Sequence, residues 1–204
     1  MRIGFFGGSF DPPHLGHLAV ARAAADKFSL DRVLFVPTGI QPLKPAGPAA
    51  PFEDRLAMVA LLCALQPEQH GPHFEPSSLD APHLDAAPNY TVNTLTRLRN
   101  ELSPEDELFS IVGADTFHGL PRWRSPDKLL NLADWIVVSR PGFSHVDAVG
   151  FAPSQLEHIH LLEGVHYPTS ATSIRSLLSA GSDCDDQLPR SILDYIHIHH
   201  LYGT

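Results

Sequence analysis

Short apolar runs alternate along the chain with segments in which apolar residues recur every three or four positions. That alternation predicts strands and helices in turn. Ile3 to Phe6 is an apolar run ending in Gly7-Gly8, the pattern of a buried strand entering a sharp turn. Asp11-Pro12-Pro13 forbids helix and stiffens the turn. Leu15, Leu18, Ala21, Ala25 and Phe28 then recur at helical spacing, so a helix begins near His14 to Gly16. Val33 to Val36, closed by Pro37, is the second strand. Strand, helix and strand in the first forty residues predict a βαβ unit with parallel strands.

The same pattern continues. Residues 38–52 form a loop rich in proline and glycine, with Lys44 as its only charge. Glu53 to Leu65 reads as a helix with Leu56, Val59, Ala60 and Cys63 on one face, and Phe74 to Leu79 as a weaker strand. Residues 78–89 read as an irregular loop. Thr91 opens a helix with Val92, Leu95 and Leu98 on one side, capped by Thr91 or Asn89. Glu107 to Val112 is a strand followed by Gly113-Ala114-Asp115. Ser125-Pro126 starts a helix to Asn131 with proline in its first position. Trp135 to Val138 is a strand and Glu157 to Leu162 an edge strand. Ser173 to Ala180 is a short helix ended by Gly181, and Arg190 to Leu201 a final amphipathic helix. The reading is α/β: a doubly wound, mainly parallel sheet covered on both faces, with a short C-terminal helical part at about 168–204, in one domain spanning 1–204. Ligands of such sheets bind beyond the carboxyl ends of the strands. Gly7-Gly8, Pro37, Gly113 to Asp115 and Arg140 all follow strands and are expected to share one cleft.

Composition narrows the partners. The chain has 204 residues, 43% of them hydrophobic, with no apolar run long enough for a bilayer and no signal-peptide pattern at the start; the expected compartment is the cytoplasm. A formal net charge of −9 disfavours nucleic-acid or acidic-membrane binding but leaves room for a phosphate ligand at a local positive focus. Cys63 and Cys184 are the only cysteines; Cys63 lies in an apolar stretch and reads as a small core residue, Cys184 lies in an acidic loop, and neither a disulfide framework nor a cysteine metal site is expected. His197, His199 and His200 lack further ligands and are assigned to structure or surface, and no metal-binding residue is assigned. The sequence leaves self-association open.

Chemistry concentrates in the opening stretch. Strand, glycine turn and helix N-terminus together make an anion cradle, with unpaired N–H groups and a positive dipole end. His14 and His17, three apart, can face one anion. The string lacks the Gly-Lys-Ser/Thr end of a P-loop and the spacing of a dinucleotide fingerprint. Other positions stay ambiguous from their residues alone. Arg175 is either a solvated charge or an anion contact; Asp115 a helix cap or an acceptor for ribose hydroxyls; Trp123 a loop anchor or a stacking platform; Lys44 a solvated charge or a phosphate contact. Ser170, Thr172 or Ser173 can cap the short helix.

Gly7-Gly8-Ser9-Phe10-Asp11-Pro12-Pro13-His14-Leu15-Gly16-His17 resembles the GGSFDPxHxGH signature of the HxGH nucleotidyltransferase superfamily, and Ser170-Ala171-Thr172-Ser173-Ile174-Arg175 resembles its second signature, ISSTxIR. More narrowly, Asn89-Tyr90-Thr91 to Leu95, Gly113-Ala114-Asp115, Trp123 and Arg140-Pro141-Gly142 fall in the order seen in bacterial nicotinate-nucleotide adenylyltransferases. Leu43 stands where that family often carries histidine. The resemblance implies a Rossmann-like nucleotidyltransferase fold and adenylyl transfer from ATP, with Mg²⁺, to nicotinate mononucleotide, giving deamido-NAD and pyrophosphate. It implies catalytic roles for His14, His17 and Arg175. It implies ATP contacts from Gly7, Gly8, Ser9, Phe10, Gly16, Gly113, Asp115, Ser170, Thr172 and Ser173, and acceptor contacts from Lys44, Tyr90, Thr91, Trp123 and Arg140. The alternatives are an adenylyltransferase for nicotinamide mononucleotide or another phosphate acceptor, and a nucleotide-binding protein without catalysis; turnover against a panel of acceptors separates them.

Overall fold

The computed structural model describes residues 1–42, 46–66, 71–139, 153–165 and 167–204. Within them the strands are β1 (Arg2–Gly8), β2 (Arg32–Pro37), β3 (His73–Pro76), β4 (Glu107–Gly113), β5 (Asp134–Val138) and β6 (Ile159–Leu162). The helices are α1 (Leu15–Phe28), α2 (Phe52–Cys63), α3 (Thr91–Glu101), α4 (Ala114–Phe117), α5 (Pro126–Leu132), α6 (Pro153–Leu156), α7 (Ala171–Ser179) and α8 (Arg190–Ile198). Single 3-10 turns lie at Leu120–Arg122 and Leu201–Gly203. The strand order is β3-β2-β1-β4-β5-β6, every neighbouring pair parallel, with β6 at the edge.

The chain winds outward from β1 through β2 to β3, then crosses back to β4, so strand order reverses between β1 and β4. The register aligns Gly8 with Pro37 and Gly113 with Val138, which puts the strand-end residues along one edge. A crevice at such a reversal is where open α/β sheets bind ligands. Alternate strand residues feed two cores. Phe6, Phe35, Phe109, Ile111 and Ile136 pack with α1, α2, α7 and α8, whereas Phe5, Leu34, Val36, Leu108 and Trp135 pack with α3 and α5. This is the period-2 alternation of a sheet buried on both faces.

Four expectations need correction. First, the buried face of α2 is Phe52, Arg55, Met58, Val59, Leu62 and Cys63, while Leu56 is half-buried and Ala60 exposed. The helix is rotated because Arg55 turns inward, donating from Nη1 to the Ser9 carbonyl (2.7 Å) and from Nε to the Ala50 carbonyl (3.2 Å). Second, neither Thr91 nor Asn89 caps α3; Tyr90 is the N-cap, without a side-chain bond. Asn89 is buried instead as a clamp, accepting from the Ile40 N–H (2.8 Å) and donating to the Ala81 carbonyl (2.9 Å). Third, α8 stops at Ile198, where the backbone turns through His200 and Tyr202 with φ of 51° and 59°. Fourth, the short helix α7 starts two residues earlier than expected because Ser170 and Ser173 form a reciprocal cap: the Ser170 hydroxyl accepts from the Ser173 N–H (3.1 Å) and the Ser173 hydroxyl from the Ser170 N–H (3.2 Å). Gly181, at φ 66°, closes it as expected.

Candidate active site

β1 carries the glycine turn to the sheet edge, and α1 begins just beyond it with His14 as N-cap. The His14 backbone N–H donates to Nδ1 of His17 at 3.1 Å. Nδ1 of His17 is therefore unprotonated, and in the neutral ring the proton sits on Nε2. The His17 ring is backed by Phe10 at 4.9 Å and Phe6 at 6.0 Å, and the His14 ring lies 3.8 Å from it, tilted by 36°. Gly16 is required by this arrangement: a Cβ there would come within 2.9 Å of the His14 ring and 3.0 Å of the Tyr167 ring. Phe10 is fully buried at φ 46°, so what it can offer a ligand is backbone. Ser9 is held from the far side of the turn, its hydroxyl accepting from Gln41 Nε2 at 3.0 Å.

Burial makes both imidazoles poor bases. His14 is 6% exposed, and Nδ1 of its ring has no hydrogen-bond partner among the described residues. Desolvation lowers its pKa to about 4. The His17 pKa falls well below the ordinary value, chiefly by desolvation and further by repulsion from His14. At neutral pH the pair consists of two neutral N–H donors at a helix N-terminus, a setting that favours an anion and would protonate more readily around one.

The stability consequence has a definite sign. A folded-state pKa of about 4 for His14 lies below its unfolded value, so the fold favours the neutral ring. That contribution is complete above the unfolded value near 6.5 and is lost as pH falls towards 4. It amounts to roughly 3 kcal/mol. Urea unfolding at pH 7 and pH 4.5 checks this: the wild type is expected to lose more stability on acidification than His14→Gln, and equal losses would remove the histidine as the cause.

Behind the histidines lies a buried ionic hub. Asp11 is 4% exposed and accepts from the Ala49 N–H (2.7 Å), the Ala50 N–H (3.0 Å) and the Tyr202 hydroxyl (2.8 Å). Arg175 Nη1 donates to the Asp11 carbonyl at 2.7 Å and lies 3.7 Å from Oδ2. Arg55, 2% exposed, ties Ser9 and Ala50 into the same knot; burial lowers its pKa, and the Asp11 charge partly offsets this. The two signature segments thus meet through Asp11. Because α7 begins at Ala171, Arg175 sits past its first turn, and Asp11 rather than the helix dipole answers its charge.

The remaining expected positions divide by location. Ser170, Thr172 and Ser173 are exposed around the start of α7. Gly113 is the N-cap of α4 and has open space where a side chain would stand, and Asp115 lies in that helix's first turn rather than at its cap. Tyr90 and Thr91 start α3; the Arg124 guanidinium lies 4.6 Å over the Tyr90 ring. Trp123 packs edge-on against buried Trp135 at 6.3 Å, so it anchors its loop while staying half-exposed. Tyr90 and Trp123 pack against one core, whereas the His17 ring packs on Phe6 and Phe10 of the core on the other face of the sheet. Lys44, Arg140 and Leu43 lie outside the described residues.

Asp11, Arg55 and Tyr202 were not singled out by sequence. A charged residue inside an apolar helical face was the available signal for Arg55, and Asp11 stood in the opening motif. For Tyr202 no local pattern gives the role, because its partner Asp11 lies 191 residues away. Among the described residues, no group of three or more His, Cys, Asp or Glu is placed to hold a metal ion. Nor is any helix there long and apolar enough to cross a membrane.

Comparison with known proteins gives concordant results. The cytidylyltransferase-like family model matches residues 5–177. A protein of Roseiflexus sp. (strain RS-1) named "Probable nicotinate-nucleotide adenylyltransferase" is 40% identical over 203 residues, covering 98% of this chain and 97% of that one. One of the same name from Thermus thermophilus is 40% identical over 203 residues, covering 99% of this chain and 100% of that one. Among solved structures, Plasmodium falciparum nicotinic acid mononucleotide adenylyltransferase complexed with NaAD superimposes with a TM-score of 0.77 over 98% of this chain and 97% of that one. At 19% identity that likeness is one of fold.

Proposed function

Since the chain belongs to the cytidylyltransferase-like family and, within it, to the nicotinate-nucleotide adenylyltransferases, we propose that it transfers the adenylyl group of ATP to nicotinate mononucleotide, releasing pyrophosphate. The observation that carries this reading is the imidazole pair at the N-terminus of α1, with the His17 proton set on Nε2 by the His14 backbone. A phosphate oxygen of the mononucleotide attacks the α-phosphorus of ATP. The bond from that phosphorus to the bridging oxygen breaks, and its electron pair leaves with pyrophosphate. The attacking phosphate is anionic at neutral pH, so the site need not supply a base. Its work is to position the reactants and stabilise charge.

In this reading His14 and His17 donate to phosphate oxygens as charge builds, and Arg175 takes the leaving pyrophosphate. Ser170, Thr172 and Ser173 surround the same phosphates. Gly7 to Phe10 and Gly16 lie under the triphosphate, and Gly113 and Asp115 under the nucleoside. Mg²⁺ arrives on the phosphates of ATP as part of the substrate. Tyr90, Thr91 and Trp123, with Lys44 and Arg140, receive the pyridine nucleotide. Arg124 over Tyr90 adds positive charge on that side and supports an acceptor bearing a carboxylate. The two unpaired cysteines are both buried, which suits a reducing compartment such as the cytoplasm.

The test is pyrophosphate release with ATP and a panel of nicotinate mononucleotide, nicotinamide mononucleotide and phosphopantetheine. The acid mononucleotide is expected to be the fastest acceptor. Faster release with the amide would reassign the acceptor, and no release with any of the three would overturn the reading.

A further inference from the structure

The end of the chain turns back on itself, packs against the core and, among the described residues, makes one long-range side-chain hydrogen bond. His200 and Tyr202 both take positive φ, a conformation unfavourable for residues with a side chain. The outcome is the Tyr202 hydroxyl donating to Oδ1 of Asp11 across 191 residues of sequence. Each carboxylate oxygen has room for two donors. Oδ1 is filled by Tyr202 and the Ala50 N–H; Oδ2 takes the Ala49 N–H and stands 3.7 Å from Arg175. That is too long for a hydrogen bond. The close contact of Arg175 is instead with the Asp11 backbone carbonyl. Nη2 makes only a 3.4 Å contact with the Thr172 hydroxyl.

A two-pronged pair with the guanidinium needs a free acceptor position on both oxygens; Oδ2 has one, and without the Tyr202 hydroxyl Oδ1 would have one too. Such a pair would use the N–H groups that a phosphate needs. Tyr202 and Arg175 line the same shallow, open depression of about 310 Å³, with Ala49, Ser176 and Ser179, so the guanidinium faces solvent on that side. We propose that Tyr202 is a positioning residue of the adenylyl-transfer site: by occupying Asp11 it keeps Arg175 on the Asp11 backbone carbonyl and leaves the remaining guanidinium N–H groups to the leaving pyrophosphate. This rests on the role given to Arg175 above.

Tyr202→Phe keeps the ring and removes the hydroxyl. Pyrophosphate-release kinetics are measured on the wild type, Tyr202→Phe, Arg175→Ala and the double variant, all well below their melting temperatures. Tyr202→Phe is expected to lower kcat about tenfold while KM for the mononucleotide is unchanged and the melting temperature moves by only a few degrees. The double variant is expected to be no slower than Arg175→Ala, because the hydroxyl acts through that arginine. Unchanged kcat in Tyr202→Phe, or a tenfold loss on top of Arg175→Ala, would overturn the inference while leaving the role of Arg175 standing. Wild-type turnover in Arg175→Ala would remove both, and an inactive wild type would remove adenylyl transfer itself.

Discussion

His17→Ala is expected to lower kcat by about 10²–10³-fold, the usual consequence of removing one preorganised donor from a developing negative charge. The ring contributes a single directed N–H, because His14 occupies the other nitrogen through its backbone. Alanine removes that donor and opens space over Phe10, a ring neighbour at 4.9 Å. The stability cost is small, about 1 kcal/mol, since the lost packing is offset by relief of a desolvated imidazole beside another. His17→Gln places an amide N–H near the position of Nε2 and is expected to recover part of the turnover. Steady-state kinetics with a melting curve for each variant checks both statements. Near-normal kcat in His17→Ala would sink the phosphate-positioning role.

Asp11→Asn is expected to act in the opposite way, through the fold first. It should cost about 3–5 kcal/mol of stability, the range for breaking a buried charged group out of its partners. The amide NH₂ must face either the Ala50 N–H and Tyr202 or the Ala49 N–H and Arg175, so donor meets donor whichever way it is flipped. Arg175 and the buried Arg55 also lose the negative charge beside them. Urea unfolding measures this directly. A loss under about 1 kcal/mol, the net worth of one ordinary hydrogen bond, would show that the carboxylate does not hold the hub together.

These two residues mark how far the sequence can be read. His17 was legible because glycine turn, diproline and helix start are local, and the imidazole spacing is set by the helix that the apolar period announces. Asp11 stood in the same string, yet its partners lie at Ala49, Ala50, Arg175 and Tyr202, positions that no local pattern connects to it. Arg55 misled the period of α2 for the same reason: a long-range bond to the Ser9 carbonyl outweighed the hydrophobic phase. Asn89 looked like a cap because that is the local use of such a side chain. A tertiary use as a clamp between the loops after β2 and before α3 won instead.

By itself, then, the sequence determined the alternation of strands and helices, the parallel sheet with both faces covered, the anion-binding design of the first turn, and the family. All of these depend on residues close together in the chain, where apolar period, proline and glycine act over a few positions. Tertiary structure alone decided the phase of α2, the tautomer of His17, the depth to which His14 is desolvated, and the joining of Asp11, Arg175 and the chain's last turn into one knot. Those depend on which distant groups arrive at a buried carboxylate or ring, and that is settled only when the sheet has brought them together.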